Sequence, residues 1–127
     1  MAKTFKEVIA WQKAHQLTLN IYQITNHFPD SEKFGLTSQM RRCSVSIPSN
    51  IAEGQARHGK KEFVQFLSHA QGSLAELDTQ IELAVEVGVL EDSRAVTSSS
   101  LVGELQRMIS SLRRKIEVRL ATGRNGP

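Results

Sequence analysis

Cysteine is nearly missing from this chain: Cys43 is alone among 127 residues. An internal disulfide is therefore excluded, and the thiol content fits a reducing compartment. Long apolar runs are missing too. Nothing approaches the ~20 residues of a membrane span, and the opening MAKTFKEVIAWQKAHQ carries no stretch apolar enough for a signal peptide, so the sequence reads as cytoplasmic. There is no Val/Ile/Thr alternation bounded by turns, which argues against a sheet. The patterns of common site chemistry are also lacking. No glutamate has a histidine three residues later, the pairing a di-iron bundle requires. His15, His27, His58 and His69 show no ligand spacing, and Glu62 with His69, seven apart, is a pair that chance supplies. Neither a phosphate-binding Gly-x-x-x-x-Gly-Lys loop nor a Rossmann glycine pattern occurs. Cys43 lies between Met40 and Ile47 on an apolar stripe and reads as a small core residue rather than a nucleophile activated by Arg42. The expectation is a protein with no catalytic residue, metal or cofactor.

What is present is helical periodicity. Val8, Trp11, Ala14, Leu17, Ile21, Ile24 and Phe28 form one stripe of a first helix, with Thr4 as its N-cap and Phe28-Pro29 as its stop. A second helix runs from about Leu36 through Gly54. A third carries Phe63, Phe66, Leu67, Ala70, Leu74, Leu77, Ile81, Ala84 and Val85, and Gly88 ends it. Within it Gly72 costs up to about 1 kcal/mol against alanine, which suggests close approach by another helix. Glu91-Asp92-Ser93 opens a fourth helix with the stripe Val102, Leu105, Ile109, Leu112, Ile116 and Leu120. Gly54 and Gly59 are candidate left-handed turn positions. Short loops between long amphipathic helices predict an all-α, antiparallel up-down-up-down four-helix bundle over residues 1–122, with a disordered tail at 123–127.

The stretch QMRRCSVSIPSNIAEG, from Gln39 to Gly54, organises this arrangement. Leu36, Met40, Cys43, Ile47 and Ile51 share a helix face, yet Pro48 interrupts the pattern. A proline there removes a backbone donor and crowds the Ser44 carbonyl, at roughly 3 kcal/mol or more. Ser44, Ser46, Ser49 and Asn50 offer groups to bond the freed backbone, so the expectation is a helix that continues, kinked at Pro48. Asn50 and Glu53 read more readily as structural than as a recognition surface shared with Arg41 and Arg42. The aromatics Trp11, Phe63 and Phe66 read as core rather than as a base-stacking platform.

Arg41-Arg42 followed by Ser44-Val45-Ser46-Ile47-Pro48-Ser49-Asn50-Ile51-Ala52-Glu53-Gly54 resembles the signature of the four-helix bundle proteins of the 23S rRNA intervening-sequence family. The resemblance extends to Trp11, Tyr22, Phe28-Pro29, Gly35-Leu36 and Gly72-Ser73-Leu74-Ala75-Glu76-Leu77, about residues 5–90. It implies a small cytosolic protein that forms a cyclic homo-oligomer, commonly a pentamer. It also implies kinship with the accessory protein of diversity-generating retroelements, which binds nucleic acid and a reverse transcriptase. Surface that one monomer cannot bury would supply the subunit contact.

Charge is unevenly spread. The span from Glu62 to Ser93 holds seven acidic residues and no lysine or arginine, within a chain of 16 basic and 13 acidic residues. In an up-down bundle one end gathers Lys3, Lys6, Arg57, Lys60, Lys61, Arg113, Arg114, Lys115 and Arg119, diluted by Glu7, Glu62 and Glu117, and the other gathers Glu82, Glu86, Glu91 and Asp92. Helix-dipole preferences account for Arg113–Arg119 and Glu91-Asp92, but not for Lys60-Lys61 at a helix start. The expectation is a basic pole that binds RNA or DNA. The alternative is an assembly or adaptor protein that binds a partner polypeptide without nucleic acid.

Overall fold

A computed structural model describes residues 8–57 and 59–123. Four helices are present: α1 (Ile9–Thr25), α2 (Ser38–Ala56), α3 (Lys60–Glu86) and α4 (Asp92–Ala121), with no strand among the described residues. The expected cap at Thr4, the basic residues Lys3 and Lys6, His58, and residues 124–127 of the expected tail lie outside the described residues.

The helices pair in opposite directions. Gly54 meets Phe63 and Phe66, Ser46 meets Ser73, and Cys43 meets Glu76, so α3 descends as α2 rises. Thr25 meets Arg41 and Thr18 meets Ser44 across α1 and α2. Lys13 meets Glu104, and Asn20 accepts from the Ser98 hydroxyl, across α1 and α4. The core that results is apolar. Leu17, Ile21, Met40, Ile47, Ile51, Leu67, Leu74, Leu77, Leu105 and Ile109 are fully buried, each contributing roughly 1.5–3 kcal/mol by leaving water.

Two element boundaries differ from the periodicity. α1 stops at Thr25 rather than Phe28. The Thr25 hydroxyl donates to the Ile21 and Tyr22 carbonyls, and the His27 and Phe28 amides then tighten to bond carbonyls three residues back. Phe28 is nonetheless buried; the stripe recorded burial, not helix. A 3-10 turn (Asp30–Glu32) and a wide π-type turn (Lys33–Thr37) follow, so α2 begins at Ser38 rather than Leu36. The Glu32 carboxylate holds the second turn by accepting from the Leu36 amide at 3.1 Å. This leaves Phe34 on the outside, 89% exposed.

The glycines also fall differently. Gly54 lies inside α2, not in a turn, and a Cβ there would sit 2.7 Å from Phe66 Cβ and 2.8 Å from Phe63 Cδ1. α2 and α3 approach closely there. Gly72, where close approach was expected, faces open space, and the left-handed backbone falls to Gly88 (φ 86°) and Gly123 (φ 74°).

Candidate nucleic-acid interface

Arg41, Ser44, Ser46 and Asn50 of the Gln39–Gly54 stretch are engaged within the bundle, whereas Gln39, Arg42, Ser49 and Glu53 are exposed. α2 runs unbroken through Pro48, whose missing N–H would leave the buried Ser44 carbonyl without its helical donor. The Thr18 hydroxyl of α1 fills that role. It lies 2.9 Å from the Ser44 carbonyl oxygen and 3.1 Å from that of Ala14, sharing its proton between them. Ser44 and Ser46 hydroxyls turn back to the Arg41 and Cys43 carbonyls. Ser46 is also 2.7 Å from the Ser73 hydroxyl, and the Asn50 amide donates to the Ser46 carbonyl at 2.7 Å. Arg41 donates from Nε to Thr25 Oγ1 at 2.8 Å and from Nη2 to Asn26 Oδ1 at 2.9 Å, with its guanidinium 4.7 Å over the Tyr22 ring. Arg42 is exposed and among the described residues reaches only the Ser38 hydroxyl, at 3.4 Å. Glu53 pairs with Arg57 at 3.8 Å, one turn further along the chain.

Cys43 is buried and donates to the Ser73 carbonyl at 3.1 Å. Burial, reinforced by the charge of Glu76 and a hydrogen bond to it, pushes its pKa from 9.0 up to about 12, against a smaller opposing pull from the Leu77 backbone. A thiol held in its protonated form is a poor nucleophile. Among the described residues no group of three or more histidine, cysteine or acidic side chains is placed to hold a metal.

The opposite end of the bundle, where α2 hands over to α3 and α4 finishes, is built otherwise. Lys61, Arg114, Lys115 and Arg119 are exposed and Lys60 is half-buried. None of the five has a side-chain ion pair or hydrogen bond among the described residues. Two further cations expected here are engaged. Arg57 stacks 5.2 Å over Phe66 beside its pairing with Glu53. Arg113 is drawn inward: Nη1 donates to Gln71 Oε1 at 2.6 Å, Nη2 lies 3.7 Å from Glu117, and its buried Nε has no hydrogen-bond partner among the described residues.

Arg107 joins this end instead, and reading charge blocks missed it because it stands apart from the Arg113–Arg119 run. Its seven-residue spacing from Arg114 on one helix was the available signal. Arg107 and Lys115 flank a groove of about 760 Å³ whose floor includes Val8, Phe63, Met108 and Leu112. Arg107 and Arg114 also share a shallow notch of about 370 Å³ with Gln106, Ser110 and Ser111. At the far end Asp78, Glu82, Glu86 and Asp92 line one notch between α3 and α4, so the charge polarity expected of the bundle is present in its surface.

A third surface is apolar. Trp11, Thr18, Val45, Pro48 and Ala52 enclose a notch of about 290 Å³ between α1 and α2, bordered by Leu19. Leu19 is 54% and Val45 41% exposed. No helix among the described residues is long and apolar enough to cross a membrane. The family model described as 23S rRNA-intervening sequence protein matches residues 6–111. No curated protein matches the chain.

Proposed function

We propose, from the premise that this chain belongs to the 23S rRNA-intervening sequence protein family, that it is a non-enzymatic cytoplasmic bundle that self-assembles and binds RNA or DNA through its basic end. The observation that carries this reading is the set Lys60, Lys61, Arg114, Lys115 and Arg119, gathered at one end with no carboxylate paired to any of them among the described residues. An unpaired cation keeps its whole charge and its donors for an external anion. Contacts of this kind go to phosphates and carry little sequence preference.

Self-assembly is supported by the outer face of α1 and α2, where Leu19, Val45 and the Trp11 notch lie together. A monomer gains by covering such a face. A cyclic ring, with five subunits as the expected number, repeats each basic end around one rim. The test is fluorescence anisotropy with labelled RNA and DNA across a salt series, alongside light scattering coupled to size exclusion. Affinity that falls linearly in log–log coordinates, from an oligomeric species, supports the reading; absence of salt-sensitive binding at about 50 mM salt overturns it. The same apolar face favours one alternative, an adaptor whose α1–α2 surface holds a partner polypeptide, and failure of the nucleic-acid reading would leave that one standing.

A further inference from the structure

We infer that the groove flanked by Arg107 and Lys115 is a binding site for an unpaired nucleotide, so that this protein takes single-stranded rather than duplex nucleic acid. The inference rests on the nucleic-acid reading above and adds to it the form of the ligand. Its first support is size. At about 760 Å³ the groove falls within the roughly 300–1,000 Å³ of sites that hold small organic groups. The α1–α2 notch, at about 290 Å³ and without lysine or arginine in its lining, falls below that range.

Chemistry is the second support. A nucleotide has an aromatic body, a polar edge and an anionic backbone, and the groove offers a counterpart for each. Phe63, Met108 and Leu112 supply an apolar floor, Gln55 and Ser111 supply an amide and a hydroxyl, and Arg107 and Lys115 supply positive charge. No aspartate or glutamate lines it among the described residues. One edge of Phe63 packs on Gly54, which fixes the ring while its remaining surface contributes to the groove. Arg107 and Lys115 are eight residues apart on α4, or about 12 Å along the helix, so backbone phosphates on either side of a seated base fall near a cation.

Topology is the third. Arg114 shares the adjoining notch with Arg107, and Lys60 begins the helix that carries Phe63, so positive charge is not confined to the groove. A duplex keeps its bases stacked and paired, so it offers phosphates and groove edges but no free base face. A single strand presents phosphates and an unstacked base together, the combination that positive grooves with aromatic floors exploit.

Three labelled probes of equal length distinguish these cases in anisotropy titrations of the full-length protein at fixed low salt: a single strand, its duplex, and a strand whose central nucleotides lack bases. The single strand should bind about tenfold more tightly than the abasic strand, the effect expected from one stacked base, and more tightly than the duplex. Ser111→Glu, an exposed helix position that places a carboxylate at the groove, should abolish the difference between intact and abasic strands, whereas Ser99→Glu, exposed near the other end of α4, should keep it. Equal affinity for all three probes, with a salt slope retained, would overturn the inference and leave the phosphate-binding reading intact. No salt-sensitive binding to any probe would overturn both.

Discussion

Arg41 and Arg114 are the same residue in two different situations. Arg41 directs two of its nitrogens at Thr25, Asn26 and the Tyr22 carbonyl and lies over the Tyr22 ring. Arg114, at the other end of the bundle, is exposed and makes no such contact among the described residues. A guanidinium has five N–H donors, and its function depends on how many the fold has already claimed. Within the recognisable motif Arg41, Ser44, Ser46 and Asn50 are consumed by architecture, while Arg42 beside them stays exposed. The basic end, outside the motif, keeps Lys61, Arg114, Lys115 and Arg119 exposed. Arg113, next in sequence to Arg114, belongs with Arg41 on this measure, because Gln71 and Glu117 hold it.

Four experiments break or sharpen that contrast. The largest effect should come from Lys60, Lys61, Arg114 and Lys115 changed together to glutamine. Affinity for nucleic acid at low salt should drop about a hundredfold, and the log–log salt slope should shrink by about 0.7–0.9 for each phosphate no longer neutralised. Thermal melting and oligomer mass should not change, whereas Arg41→Gln should lower the melting temperature and leave the slope alone.

Next in size is Gly54→Val. With Phe66 Cβ 2.7 Å from the new Cβ, a urea titration should register a destabilisation of roughly 1–3 kcal/mol from overpacking. Gly72→Ala, in open space, should instead gain up to about 1 kcal/mol from helix propensity. A destabilisation at Gly72 equal to that at Gly54 would mean that the tight α2–α3 seam reaches as far as Gly72.

Thr18→Val should cost roughly 1–2 kcal/mol, within the range for orphaning a buried acceptor. The same change made in a Pro48→Ala background should cost clearly less, since alanine restores the N–H that the Ser44 carbonyl lacks. Equal costs in both backgrounds would detach Thr18 from Pro48.

The last effect concerns pH and is confined to the alkaline range. In the folded chain the Cys43 thiol keeps its proton up to about 12, against 9.0 when free of the fold. The unfolded chain releases that proton first, so the stabilisation is complete below pH 9 and is lost as pH rises from 9 towards 12. Cys43→Ala should flatten that portion of the stability curve, whatever it does to the plateau, and native protein should resist alkylating reagents that label the denatured chain.

Much of the fold is legible directly from periodicity. The buried positions Ala14, Leu17, Ile21, Met40, Ile47, Leu74, Leu105 and Ile109 all lie on stripes visible in the chain, because a 3.6-residue repeat is a local signal. What is not legible is non-local. Ser44, Ser46, Ser49 and Asn50 are the sequence neighbours suited to repair Pro48, but the repair comes from Thr18, 26 residues before the Ser44 carbonyl it bonds. Gly54 and Gly72 have the same composition signal, and only the packing of Phe63 and Phe66 tells them apart. The basic end is visible as a block of charge. Which cations remain available is not, because capture of Arg113 depends on Gln71, 42 residues earlier.

The Thr18–Ser44 hydrogen bond has a consequence for how the bundle comes together. Apolar stripes are forgiving: a helix slid by one turn, about 5.4 Å, still places leucine and isoleucine against a greasy neighbour. A carbonyl deprived of its own donor is not forgiving, because an α1 slid by one turn would bring Ala14 or Tyr22 to it in place of Thr18. Pro48 therefore acts on α1 as a notch acts on a key. By creating one acceptor that Thr18 satisfies, it favours this alignment of the first two helices over others that hydrophobic contact alone would accept.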